Sequence, residues 1–328
     1  GDTMVSIDFT TLPGTGTLMY DSAAVNAGDD IAIANLGGVT YVPVANANGA
    51  VTFTFKVFDG DALSGAGTFT MTYSSVNDAP VNTITGASLS VNEDVALAIT
   101  GNSIADVDDT SMTSVKVTAD RGTFTLATSD ATYDVGTQGT AASTVTISGT
   151  VTNINVALAT ITWTSALNDN ANAAITIVTT DDEGGSDTDS MSITVNAVND
   201  APTTSGGSAS VSEDATHTFT TTASDWGYAD VDSGDTMVSI DFTTLPSTGS
   251  LQYSGSAVSA GDDIAIANLG GVTYVPVANA NGAVTFTFKV FDGDALSANA
   301  GTFTLTYSAV NDAPVNTITG ASLSVNED

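Results

Sequence analysis

The chain has 328 residues, of which 37 are acidic and only four basic, giving a formal charge of −33. Nucleic acid and anionic membranes are therefore poor partners. A hydrophobic content of 42% argues against acid-driven disorder, and the absence of cysteine removes disulfide and thiolate-metal support.

Taken in chain order, the first clear element is Val51–Val57, where apolar and polar residues alternate with the period of a strand that has one face in a core. The phrase Val-Asn-Asp-Ala-Pro follows at 76–80. Next come Val95–Ile99, Val115–Val117, Thr123–Leu126, Thr160–Thr164, Ala174–Val178 and Met191–Val195, all alternating and separated by Gly, Asn and Asp turn clusters. Thr144–Ala159 is expected to be an excursion that adds no crossing strand, with a short turn at Asn153–Ala159. The boundary phrase returns at 198–202 and again at 310–314, in steps of 122 and 112 residues.

Gly1–Ser64 recurs as Gly234–Ser297, and Ala27–Ser64 returns unchanged as Ala260–Ser297. A period this long exceeds an ordinary domain, so each period is expected to hold two modules, A and B. The division is 1–80, a partial A lacking its first strands; 81–202, a complete B; 203–314, a complete A; and 315–328, the first strand region of a further B. The expected fold is all-β, with tandem immunoglobulin-like sandwich modules in an elongated rod. The chain reads as a window on a longer array, and a window from mid-array would contain no signal peptide or transmembrane run. Modules A and B are expected to share a core, because Leu158, Trp163, Asn168 and Asp181 have the spacing of Leu269, Tyr274, Asn279 and Asp292. Trp163, Tyr274 and Tyr41 then point inward.

Strand parity assigns the acids to module ends, since successive antiparallel strands reverse direction. One end of module B receives Asp106-Val-Asp108-Asp109, Asp181-Asp182-Glu183 and the incoming linker Asn77-Asp78. The other receives Glu93-Asp94, Asp169 and the outgoing linker Asn199-Asp200, which meet Asp230, Asp232, Asp292 and Asp294 of module A. Carboxylates so placed repel by roughly 1–4 kcal/mol per close pair. With so few basic residues the counter-ion must come from solvent, and an all-oxygen donor set suits Ca²⁺. A lone Asp-Gly pair would be an ordinary hairpin turn, so the inference rests on convergence.

The boundary phrase, Asn-Glu-Asp at 92–94 and Ser-Glu-Asp at 212–214, and Asp-x-Asp at 106–108 and 230–232 occur in one register. Together they resemble the cadherin-like repeats of giant bacterial surface adhesins, and the resemblance covers nearly the whole chain. It implies calcium between modules, held by Glu93, Asp200, Asp230, Asp232 and Asp292 at one junction and by Asp78, Asp106, Asp108 and Asp181 at the other. Glu183 and Asp294 join these sets, with Asn77, Asn199, Asp169, Glu213 and Asp312 as supplementary ligands. The linker is shorter than in classical cadherins, and no Asp-Arg-Glu segment is present.

The implied role is non-catalytic: a calcium-rigidified stalk or filament of a secreted cell-surface adhesin. The rival roles are a glycan- or ligand-binding adhesive module and a laterally assembling surface-layer subunit. Candidate partners are further modules of the same chain, neighbouring chains and surface glycans. Catalysis is disfavoured, because the single His217 lacks a nucleophile context and takes the strand position of Leu97. Trp226, in an insertion that B lacks, is expected to project and pack across a junction, with sugar stacking as its alternative. Outward Thr-x-Thr runs are ordinary strand composition.

Overall fold

The computed structural model describes residues 3–86, 88–315 and 320, so the strand expected within 315–328 lies outside the described residues apart from Val315 and Gly320. The chain divides into two compact units, Gly1–Asn196 and Ala197–Asp328. In both, nearly all the regular elements among the described residues are strands.

The first unit holds two separate cores. Around Phe9, Leu18, Val25 and Ile31, a four-stranded sheet runs in the order Asp30–Ala32, Ser6–Phe9, Gly49–Phe58, Gly67–Tyr73, facing a three-stranded sheet of Ala23–Ala24, Thr17–Tyr20 and Val39–Val42. The second core is larger and includes Trp163, Phe124 and Ile177. Its main sheet has six strands in the order Thr132–Val135, Thr144–Thr150, Ser111–Ala119, Ala173–Thr180, Ser186–Asn196, Ser88–Asn92, and the last pair is parallel. Leu97–Thr100, Thr160–Thr164 and Thr123–Leu126 form a three-stranded sheet against the same core.

The expected excursion at Thr144–Ala159 is instead a strand followed by a helix. Thr144–Thr150 pairs along Ser111–Ala119 and also with Thr132–Val135, because Val145 and Ile147 supply the inward positions of a period-two run. Thr132–Val135 and Thr144–Thr150 together add two crossings, which leaves the strand parity unchanged. The helix Val151–Leu158 starts at Thr150, whose side chain accepts from the Asn153 amide, and buries Ile154, Ala157 and Leu158.

In the second unit a five-stranded sheet runs Gly207–Ser212, Gly301–Ser308, Gly282–Phe291, Ser239–Thr244, Asp263–Ala265. A four-stranded sheet of His217–Thr218, Val272–Val275, Ser250–Tyr253 and Ser256–Ala257 packs on the same core. Gly207–Ser212 runs parallel to Gly301–Ser308, as Ser88–Asn92 does to Ser186–Asn196.

Trp226 corrects the expectation made for it. It is fully buried in this unit's core, with ring contacts to Phe219, Phe288 and Phe303 at 5.1–5.3 Å. The insertion forms a 3₁₀ turn, Ala223–Trp226, stopped by Gly227 in the left-handed region, and this turns the indole inward. The indole N–H donates to the Thr220 carbonyl at 3.2 Å, so the ring meets its one polar need inside. It can neither bridge a junction nor stack on a sugar. Trp163 and Tyr274 are buried as expected, whereas Tyr41 is only partly covered.

Candidate functional site

Two equivalent acidic centres form, one in each unit. In the first, the Asn77 amide donates to Asp181 Oδ2 at 2.8 Å and the Asp78 backbone N–H donates to Asp108 Oδ2 at 2.7 Å. Asp106 Oδ1 accepts the amides of Asp108 and Asp109 at 2.8 and 3.0 Å, a side-chain turn that fixes the loop. In the second, Asn199 donates to Asp292 Oδ2 at 3.3 Å and the Asp200 amide to Asp232 Oδ2 at 2.6 Å. Asp230 Oδ1 accepts the Asp232 amide at 2.9 Å. Linker, Asp-x-Asp loop and late hairpin therefore interlock by the same bonds in both.

The matched spacings have matched roles. Asn168 and Asn279 both sit in the left-handed region, at φ 56° and 57°. Their amides donate to Asp94 and Asp214 at 3.0 and 2.8 Å. Leu158 and Leu269 are wholly buried. His217 stands opposite Tyr274 where Leu97 stands opposite Trp163, and burial lowers its pKa.

Carboxylate oxygens of Asp106, Asp109 and Asp181 lie within 4.8 Å of one another, as do those of Asp109, Asp182 and Glu183 and of Asp230, Asp235 and Asp292. Asp181 is 1% exposed, and the hydrogen bond from Asn77 lowers its pKa most. Asp109 is raised, by desolvation first and then by Asp182. Glu183 is pushed up to about 7, chiefly through its hydrogen bond to Asp182, with desolvation adding to it. Asp182 is correspondingly lowered. Asp235 is raised by desolvation and by Asp232 and Asp230. At Asp292 burial acts upward, but the amides of Ala295 and Asp294 hold the group below the usual carboxylate range. Asp106 Oδ2 and Asp109 Oδ2 are buried atoms with no hydrogen-bond partner. Such oxygens fit a hard cation, since desolvated carboxylates are costly without one.

The predicted residues separate into several groups. Asp106, Asp181, Glu183, Asp230 and Asp292 enter the close clusters, while Asp108 and Asp232 turn one oxygen to a linker amide. Asn77 and Asn199 contribute amide donors to Asp181 and Asp292. Asp294 is exposed and donates its backbone amide to Asp292. Glu93 and Glu213 are buried; the Glu93 amide donates to the Asn196 carbonyl, and Glu213 Oε1 accepts the Val310 amide at 2.7 Å. Asp169 faces a different cation, pairing with the Arg121 guanidinium at 3.2 Å. Asp312 is exposed. Asp109, Asp182 and Asp235 were missed as ligand candidates, though Asp109 and Asp182 adjoin predicted acids and Asp235 stands three residues after Asp232. The signal for Asp109 was its place three residues after Asp106, the spacing of a side-chain turn.

Residues 198–308 match the family model described as cadherin-like domain. No curated protein matches the chain. Among solved structures, the protocadherin gammaB7 EC3-6 cis-dimer is 13% identical, with 93% of this chain and 65% of that chain covered and a TM-score of 0.48. Mouse cadherin-23 EC22-24 is 14% identical, with 93% and 86% covered and a TM-score of 0.43. The protocadherin GammaB4 extracellular domain is 11% identical, with 93% of this chain covered and a TM-score of 0.43, and the chain spans 44% of its length. The stretch 198–308, which contains every residue of the second acidic centre, is thus cadherin-like in sequence.

Proposed function

We propose that this chain is a non-catalytic structural segment of a secreted bacterial surface adhesin stalk or extracellular filament, stiffened by Ca²⁺ at its module junctions. The observation that carries this reading is the recurrence of one hydrogen-bond pattern, Asn77 to Asp181 and Asp78 to Asp108, as Asn199 to Asp292 and Asp200 to Asp232. A linker tied twice in the same way to the same two loops is a repeated joint. The modules would be 1–80, 81–202, 203–314 and 315–328, with the joints at the Asn-Asp linkers.

At the first joint Asp106, Asp109 and Asp181 would hold the ion, with Asp182 and Glu183 beside them. At the second, Asp230, Asp235 and Asp292 would do so. The donors are all oxygen, which favours calcium over zinc. Bound calcium would neutralise the cluster and hold linker and loops together. In a low-calcium cell interior the same acids would repel, coupling rigidity to export. An extracellular setting agrees with the cadherin-like match, and no helix of the described residues is long and apolar enough to cross a membrane.

Calorimetry with millimolar calcium and with chelator tests this reading. Calcium at about 100 times its Kd adds about 2.7 kcal/mol, which raises the melting temperature by several degrees. An unchanged melting temperature overturns it.

A further inference from the structure

A polar cleft opens in each unit where two sheet edges part. In the second unit Ser256–Ala257 is the edge of one sheet and Asp263–Ala265 the edge of the other among the described residues. The chain changes sheets in the turn between them, and the two edges bound a cleft of about 410 Å³. It lies on the side away from Gly207–Ser212 and His217–Thr218, which form the opposite edges of the same two sheets. The first unit repeats the cleft, at about 370 Å³, between Ala23–Ala24 and Asp30–Ala32.

Both walls present bare backbone. The Ile266 amide donates to the Val238 carbonyl at 2.8 Å and the Phe242 amide to the Asp262 carbonyl at 3.1 Å. Bonded residues alternate along an antiparallel pair, so Ile264 faces the ladder while Asp263 and Ala265 turn their N–H and C=O groups outward. Across the cleft the Val258 amide donates to the Leu251 carbonyl at 3.0 Å, which by the same alternation turns Ala257 outward. The bonds of Ile33 to Val5, Phe9 to Asp29 and Val25 to Leu18 repeat the pattern in the first unit, leaving Ala24, Asp30 and Ala32 outward. Side chains complete the lining. Tyr253 is backed by Gly271, where a Cβ would lie 3.1 Å from the ring. Asp262 uses Oδ2 to accept the Ser259 amide at 2.7 Å, and the exposed Asn268 adds an amide.

A matching ligand must meet donors and acceptors in alternation and offer an apolar face to a tyrosine ring. Vicinal hydroxyls on a pyranose do both. Edges of two and three residues are too short to hold an added peptide strand. The paired carboxylates Asp262 and Asp263, in a chain of charge −33, exclude phosphates and acidic sugars. We infer that the cleft binds a neutral saccharide, once in each unit, with Tyr253 and Tyr20 as the ring platforms. Repetition of a weak site along one chain supplies avidity for a glycan-bearing surface. No residue of either acidic centre lines the cleft, so the inference is independent of the calcium reading.

The test follows amide chemical shifts of the isotope-labelled full chain while glucose, galactose, mannose and N-acetylglucosamine are titrated in turn. At least one should give saturable shifts at Ala257, Asp263 and Ala265, and at Ala24, Asp30 and Ala32, with a Kd on the order of 1 mM. Glucuronate should bind at least about tenfold more weakly than that sugar. Ala265→Pro is the decisive variant. Ala265 has φ −56°, which suits proline, and its outward N–H is outside the ladder, so the fold tolerates the ring while the cleft loses a donor and gains a Cδ. It should abolish the response of the second unit, leave that of the first intact and leave the melting temperature unchanged. Asn268→Ala, at an exposed position, should weaken the second site by about tenfold. The proposal is overturned if none of the four sugars gives saturable shifts at these amides, if glucuronate binds equally well, or if Ala265→Pro leaves the second response unchanged.

Discussion

His217 and Trp226 show how far one side chain's surroundings decide its role. The edge of the His217 ring meets Phe219 at 4.8 Å, it stands opposite Tyr274, and desolvation holds its pKa below the usual imidazole value. The unfolded chain therefore takes the proton first. Stability should hold above about pH 6.5 and fall as pH drops through the folded-state value. His217→Leu, which installs the residue that module B has at this position, should flatten the melting temperature between about pH 7.5 and 5.5. Trp226 makes the opposite point about legibility. Its insertion has no counterpart in B, so alignment gave it no core position, and only the 3₁₀ turn ending at Gly227 brings it inside. Trp226→Ala should cost about 3–5 kcal/mol and lower the calorimetric transition of the second unit by on the order of 10 °C or more.

Among the elements, the strands were the most legible part of the sequence. Thr123–Leu126 and Thr160–Thr164 form where period-two alternation predicts them, because each alternate residue faces one core. Thr144–Thr150 carries the same alternation, but its Gly-bearing end and the following helix disguised it. The helix Val151–Leu158 depends on contacts distant in sequence. Asn155 accepts the Ile104 amide at 2.7 Å and donates to the Ile104 carbonyl at 2.9 Å, so one side chain satisfies both backbone groups of a buried strand residue. Asn155→Ala should therefore destabilise by about 2–4 kcal/mol, since unpaired buried groups cost about 1–3 kcal/mol each. Thr150→Ala removes only a cap bond of 3.3 Å and should cost about 1 kcal/mol. Urea denaturation of the two variants measures the difference, and equal losses would contradict this account of the helix.

For the whole molecule, the repeat and the convergence of each Asn-Asp linker with the Asp-x-Asp and late loops were legible because spacing and strand parity survive sequence divergence. The atomic composition of each centre was not, since it depends on which oxygens the Asp106 and Asp230 loops leave free after bonding their own amides. That distinction allows bound calcium to be separated from general charge screening. A net charge of −33 would by itself make the chain respond to any salt. Carboxylate oxygens within 4.8 Å of one another, however, lie well inside the roughly 10 Å Debye length of 0.1 M salt. Monovalent ions therefore relieve the diffuse repulsion but leave the clusters nearly as strained. Millimolar calcium at constant ionic strength should raise the melting temperature by several degrees, while an equivalent change in sodium chloride should move it far less. Asp106→Asn combined with Asp181→Asn should abolish the calcium increment of the first unit and preserve that of the second, because Asp230, Asp235 and Asp292 form a separate centre. Equal responses to the two salts would assign the effect to net charge and leave the clusters as solvated surface.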